Sequence, residues 1–150
     1  PVGAVAVALY PAHQRGTALA RDGTAAAGRE PDSALGMALA KGEGVSGKTV
    51  TEAAIAGDQV AREVMATAGR HLGVGLASFA NIFDPDVIVI GGGVSAGGDL
   101  LLEPAREELR SRALPPMNKT TVKLAELGPD AGLIGAAAMA LIELDAAGSG

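Results

Sequence analysis

At 150 residues and 14.7 kDa the chain amounts to one domain or a piece of a larger one, which excludes a multi-domain machine. Seventeen acidic against twelve basic residues leave a net charge of −5, the wrong sign for a surface that tracks phosphates, so nucleic-acid binding is not expected. The absence of Cys removes a disulfide framework and any thiolate chemistry, and no apolar run reaches the length of a bilayer-crossing helix.

In chain order, the opening apolar stretch Pro1 to Leu9 resembles the core of a short secretory signal. It has no preceding basic stretch and no initial Met, and it reads as an incomplete start. Residues 1–48 are weakly patterned and mostly helical, the best stretches being Thr17 to Ala27 and Asp32 to Lys41, with Asp32 as N-cap and Gly42 as stop. Thr51 caps a short helix that runs through Ala56 and ends at Gly57. Asp58 then caps a longer helix in which Val60, Val64, Ala68, Leu72, Leu76, Phe79 or Ala80, and Phe83 form one apolar stripe, ending at Asp84-Pro85. Gly69, Gly73 and Gly75 within it each cost about 1 kcal/mol relative to Ala in an exposed helix, so a helix or sheet should approach this backbone closely.

Val87-Ile88-Val89-Ile90 reads as a strand buried on both faces. Asp99 caps a helix to about Arg112, in which Pro104 is tolerable only near the first turn, and Pro115-Pro116 closes it. Thr120 to Leu127 reads as a second strand, and a last helix from Asp130 carries Leu133, Ile134, Ala137, Ala138, Leu141 and Ile142 on its apolar face. Residues 49–145 thus form one unit, and 146–150 a flexible Gly-rich tail. The order α-α-β-α-β-α indicates a layered α/β domain. Two strands are too few for such a core, so further strands must come from elsewhere.

The sharpest feature is that first strand running directly into Gly91-Gly92-Gly93-Val94-Ser95. Open α/β sheets bind ligands at the carboxyl ends of their strands, and glycine lets a ligand touch bare backbone, which makes a nucleotide the natural candidate and a plain strand-to-helix turn the alternative. The stretch also spells Gly91-x-Gly93-x-x-Ala96, a degenerate dinucleotide fingerprint. The helix begins too late for that fingerprint, and the acid at the end of the next strand, Glu126, comes too far along. In Gly128 to Ala137, close packing is favoured over contact with a phosphate. His13 and His71 stand apart from any metal-spaced partner, and Asp84 and Asp86 are turn residues. Ser46, Ser95 and Ser111 lack the context of a nucleophile. No catalytic constellation is visible.

Several of these stretches together resemble the carboxyl-terminal part of the ROK family of bacterial sugar kinases and sugar-responsive repressors, most closely its actinobacterial glucokinases. The matching residues are Val50 to Ala54 with Gly57-Asp58, Leu72-Gly73-x-Gly75-Leu76-Ala77, and Asn81-Ile82-Phe83-Asp84-Pro85. They continue through Val87 to Ser95, Leu101-Leu102-x-Pro104, and Glu126-Leu127-Gly128 to Ala137, roughly 90 of the 150 residues. The resemblance implies an actin-like, ribonuclease-H-like ATPase fold with an incomplete sheet and covering helices, and places Gly91, Gly92 and Gly93 in the adenosine-contacting segment. It also implies ATP-dependent phosphorylation of glucose at its 6-hydroxyl with Mg²⁺, in a cytoplasmic homo-oligomer without membrane attachment.

In the family a phosphate hairpin, an aspartate base, a sugar-binding Glu and His, and a cysteine-rich zinc motif precede the matched region. The chain carries no Cys, and residues 1–16 resemble nothing in that zinc segment, whereas Gly16 to Arg21 resumes the helix that follows it. The expectation is a glucokinase-like chain, truncated or shifted in reading frame at its start and inactive alone, with exposed sheet edges that favour self-association. The alternatives are a fragment of a sugar-responsive repressor and an interaction module with no ligand.

Overall fold

The computed structural model describes residues 4–8, 18–91 and 96–125. The elements run β1 (Ala4–Ala8), α1 (Ala18–Arg29), α2 (Ala34–Ala40), α3 (Gly47–Ala56), α4 (Gln59–Phe83), β2 (Val87–Gly91), α5 (Asp99–Arg112), a 3-10 turn at Met117–Lys119, and β3 (Thr121–Leu124). The three strands form one parallel sheet in the order β1-β2-β3, with Ala6 opposite Val89 and Val89 opposite Lys123. Within the opening stretch Ala4–Ala8 is a strand, and it lies inside the segment expected to be mostly helical. Alternating Ala and Val give a weaker β-signal than the four consecutive β-branched residues of β2.

Caps set the helix boundaries, and three of them differ from expectation. Ser33, not Asp32, caps α2, its hydroxyl accepting from Gly36 N at 3.0 Å. Ser46 caps α3 in a reciprocal box with Thr49, so Thr51 lies one turn inside the helix. Its buried hydroxyl instead donates to the Gly47 carbonyl at 2.9 Å. Gly57 ends α3 at φ +102°, and Gly42 follows α2 at φ +75°, both in the left-handed region that glycine enters freely.

Asp58 caps α4 as its position predicts, accepting from Ala61 N at 2.7 Å. Its other carboxylate oxygen accepts from Ala34 N at 2.8 Å, so one side chain holds the first turns of both α2 and α4. The long helix then ends at Asp84, which takes φ +43° just before Pro85.

Two apolar clusters meet along α4. One joins α1, α2, α3 and the first half of α4 around Leu35, Val50, Met65 and Leu101. The other joins the second half of α4 with α5 and the sheet around Leu76, Ile88, Ile90, Leu102 and Leu109. Half-buried Leu72 packs against both. On β2 only Ile88 and Ile90 are fully buried, while Val87 and Val89 are half-buried. Burial on both faces of β2 is thus met on one face among the described residues. The helix expected from Asp130 lies outside them.

The contact that glycine permits is between α4 and α5. A Cβ at Gly73 would stand 2.5 Å from the Ala105 carbonyl oxygen, and one at Gly69 would run into the Leu101 carbonyl. Gly69 also leaves room for the ring of Pro104, which sits in the second turn of α5 rather than the first. That ring lacks an N–H for the helix ladder, and packing against α4 offsets the loss. Gly75 has open space around it, so of the three glycines in α4 it alone serves no close approach. Nor is Asp99 the cap of α5. Gly98 holds that position at φ +55°, and Asp99 is the first helical residue, its carboxylate accepting from Arg106 Nη1 at 3.2 Å.

These contacts predict opposite signs for the same substitution. Gly73→Ala must push α5 off α4 and is expected to lower unfolding stability by about 2 to 4 kcal/mol. Gly75→Ala is expected to raise it by about 0.5 to 1 kcal/mol. Asp58→Ala, which uncaps two helices, should lose about 2 kcal/mol. Guanidinium denaturation of the three variants checks all three values.

Candidate nucleotide site

All three strands point the same way, so their carboxyl ends lie at one pole of the sheet, where open α/β folds bind ligands. Ala8, Gly91 and Leu124 close the three strands there, with Ala8 opposite Gly91 in the register. β2 is the central strand, which puts Gly91 in the middle of that pole. Of the three glycines singled out, Gly91 is the last residue of β2 and half-buried. Gly92 and Gly93 lie outside the described residues, as do Ser95, His13 and the segment from Gly128 to Ala137.

Gly91 differs from the glycines of α4. A Cβ there would meet only the Ala125 methyl, at 3.5 Å, an ordinary van der Waals contact, and its φ is not in the left-handed region. Neither packing nor backbone conformation among the described residues demands a glycine at that strand end.

The chain re-emerges from the glycine segment onto a firm base. Gly97 is buried with its Cα against the end of the Met65 side chain, which is itself fully buried in α4. Thr51 Oγ1 lies 3.9 Å from Met65 Sδ, so α3 and α4 together back Gly97. The Gly98 carbonyl accepts from both Leu101 N and Leu102 N, which starts α5 at the same pole.

Among the described residues no group of three His, Asp or Glu side chains stands close enough to hold a metal ion. Exposed His71 lines a cleft of about 640 Å³ between α1 and α4, together with Arg21, Glu63 and Thr67. Asp84 ends α4, and the Asp86 carbonyl accepts from Thr121 N at 3.3 Å, both as turn residues. Ser46 is a helix cap, and the Ser111 hydroxyl donates to the Glu108 carbonyl at 2.9 Å.

One polar centre escaped the sequence. Arg106 donates to the Val122 carbonyl through Nε at 3.0 Å and Nη2 at 2.9 Å, and also pairs with Asp99 and Glu103. A second cleft of about 400 Å³ opens beside it between α5 and β3. The spacing of Glu103 and Arg106 on one helix was a legible signal, but the contact with Val122 joins residues from different elements and leaves none. Neither cleft is lined by Gly91. No helix among the described residues is long and apolar enough to cross a membrane.

A curated glucokinase from Halalkalibacterium halodurans is 38% identical over 120 residues, a match covering 79% of this chain and 36% of that protein. The crystal structure of a ROK family glucokinase from Streptomyces griseus in complex with glucose and AMPPNP superposes with a TM-score of 0.70 at 36% identity, over 81% of this chain and 41% of that one. A ROK family transcriptional regulator, a homologue of the E. coli MLC protein, superposes with a TM-score of 0.64 at 27% identity, over 71% of this chain and 26% of the regulator. The chain therefore spans well under half the length of these relatives. The fold is that of the ROK sugar kinases, an actin-like ATPase fold present here in part. The ROK family model itself matches residues 15–143, and with those residues matched the chain belongs to the ROK family.

Proposed function

We propose that this chain is the nucleotide-side portion of a ROK glucokinase, in which Gly91, Gly92 and Gly93 present bare main chain to the adenosine of ATP. The observation that carries the reading is the glycine that closes the central strand, at the ligand pole, where the fold would accept an alanine. The glucokinase with glucose and AMPPNP bound, to which the chain is similar, supports ATP as the nucleotide and a hexose as the acceptor.

In this reading the chain's own residues bind and orient. The three strand ends form a floor, Gly97 seated on Met65 fixes where the chain returns to α5, and the nucleotide's base and ribose lie against the glycines. Phosphoryl transfer to the glucose 6-hydroxyl depends on positioning and on charge stabilisation, with an aspartate to accept the hydroxyl proton. By the family resemblance that aspartate and the sugar-binding Glu and His belong to the part preceding the matched region. Mg²⁺ would shield the phosphate charge. The whole enzyme is read as a cytoplasmic homo-oligomer.

A second reading, a sugar-responsive repressor of the same family, is supported by the likeness to the ROK transcriptional regulator. The coding DNA upstream separates the two: a phosphate hairpin marks the kinase, a helix-turn-helix the repressor.

The 150 residues are expected to bind ATP in a calorimetric titration and to show no ATP-dependent glucose phosphorylation in a coupled assay. Gly92→Val should weaken ATP binding by about tenfold or more, a loss near 1.4 kcal/mol. Gly91→Ala should leave the thermal midpoint unchanged, so that any loss of affinity it causes reports on the ligand. A folded chain that binds no ATP would overturn the nucleotide reading, and turnover by the 150 residues would overturn their inactivity.

A further inference from the structure

Gly97 is held to glycine by a side chain, unlike Gly69 and Gly73, which face the main chain of α5. A Cβ at Gly97 would run into Met65 Cε, with Leu101 Cβ at 3.7 Å and Met65 Sδ at 3.9 Å as the next atoms. Gly97 is itself buried, and its φ lies outside the left-handed region, so an alanine there would meet no backbone strain. The obstacle is the terminal methyl of Met65.

That methyl has little room to withdraw. Met65 is fully buried in one cluster with Leu35, Val50 and Leu101, which are fully buried too. Thr51 Oγ1 stands 3.9 Å from its sulfur, and that hydroxyl is itself fixed by the bond it donates to the Gly47 carbonyl at 2.9 Å. Methionine is unbranched, reaches further than leucine and bends readily, so it acts as a spacer only where close packing holds it. Here α3 and the cluster around Leu101 supply that packing.

The other end of the glycine segment is anchored by the sheet. The Ile90 carbonyl accepts from Ala125 N at 2.8 Å, and Gly91 stands in register with Ala8. Residues 92–96 join these two anchors, and the Gly98 carbonyl starts α5 directly after the second. A shift of Gly97 on its seat is therefore passed back along a short stretch of chain toward Gly91. We propose that Met65 is a positioning residue for the nucleotide, the end of its side chain setting the level at which the chain passes from the glycine segment into α5. This role rests on the nucleotide reading above, and Met65, being fully buried, exerts it through Gly97.

Moving one methyl between the two residues tests this, in calorimetric titrations of the 150-residue chain with ATP. Met65→Leu nearly conserves volume but withdraws the methyl from Gly97, and Gly97→Ala adds a methyl where the end of Met65 already stands. Each alone is expected to weaken ATP binding by about three- to tenfold, the range in which residues without ligand contact act. Together they should restore the affinity to within about twofold of the unsubstituted chain, because the added methyl takes the vacated space. Leu109→Ala leaves a cavity in the other cluster and is expected to keep full ATP affinity below its thermal midpoint. If Gly97→Ala fails to fold, Met65→Leu and the double variant still decide. Unchanged affinity in Met65→Leu, a double variant no better than Met65→Leu, or an equal loss in Leu109→Ala overturns the role of Met65 and leaves the nucleotide reading in place. An unsubstituted chain that binds no ATP overturns both.

Discussion

The place where α5 rests on α4 governs the rest of the structure. Two glycines one turn apart, Gly69 and Gly73, let the α5 main chain settle at the Leu101 and Ala105 carbonyls, closer than any side chain would permit. This depth lets Leu102, Ala105 and Leu109 reach Leu76 and the buried side of β2 in one cluster. It also fixes where α5 starts, and hence where the chain must return after Gly91. Aromatic bulk is nearly absent from this protein, so approach distance replaces side-chain volume as the means of filling the core.

Polar groups hold what the small side chains cannot. Asp58 binds the first turns of α2 and α4 with its two oxygens, which ties the helical half of the molecule to the helix that carries the sheet half. Arg106 plays the corresponding part at the other end, pinning β3 to α5 through the Val122 carbonyl. Asp58 makes two helix caps from one side chain, and Arg106 closes a sheet edge while it braces its own helix through Asp99 and Glu103.

Much of this was legible in the order of residues. The bounds of α4 follow from Asp58 and from Asp84-Pro85, β2 from four consecutive β-branched residues, and the close helix contact from glycines at helical spacing. Short-range chemistry announces itself in sequence because its partners are a few residues apart. What was illegible depends on distant partners. β1 has two β-branched residues where β2 has four, and does not declare itself without β2 beside it. The second bond of Asp58 spans 24 residues, and that of Arg106 to Val122 spans 16. The choice of Ser33 over Asp32 was a local contest between two good caps, decided by where α1 leaves the chain, since the Ser33 hydroxyl also donates to the Glu30 carbonyl at 2.7 Å. At the candidate site the sequence pointed to three glycines, of which the described residues place Gly91 at the pole where the strands end.

The glycines divide by what a Cβ would meet, and that division carries the functional argument further than the motif alone. Gly69 and Gly73 face main chain, Gly97 faces Met65, and Gly57 and Gly98 take backbone angles that favour glycine, so the fold itself accounts for each. Gly75 faces open space in mid-helix, and nothing in the structure explains it. Gly91 meets only an ordinary contact, but unlike Gly75 it ends the central strand of a parallel sheet, at the pole where ligands bind. Nothing among the described residues demands a glycine at Gly91, which is what the proposed nucleotide reading needs of a residue that leaves main chain bare. The same reasoning gives Gly91→Ala its value, because a substitution the fold absorbs isolates the ligand's share of the effect.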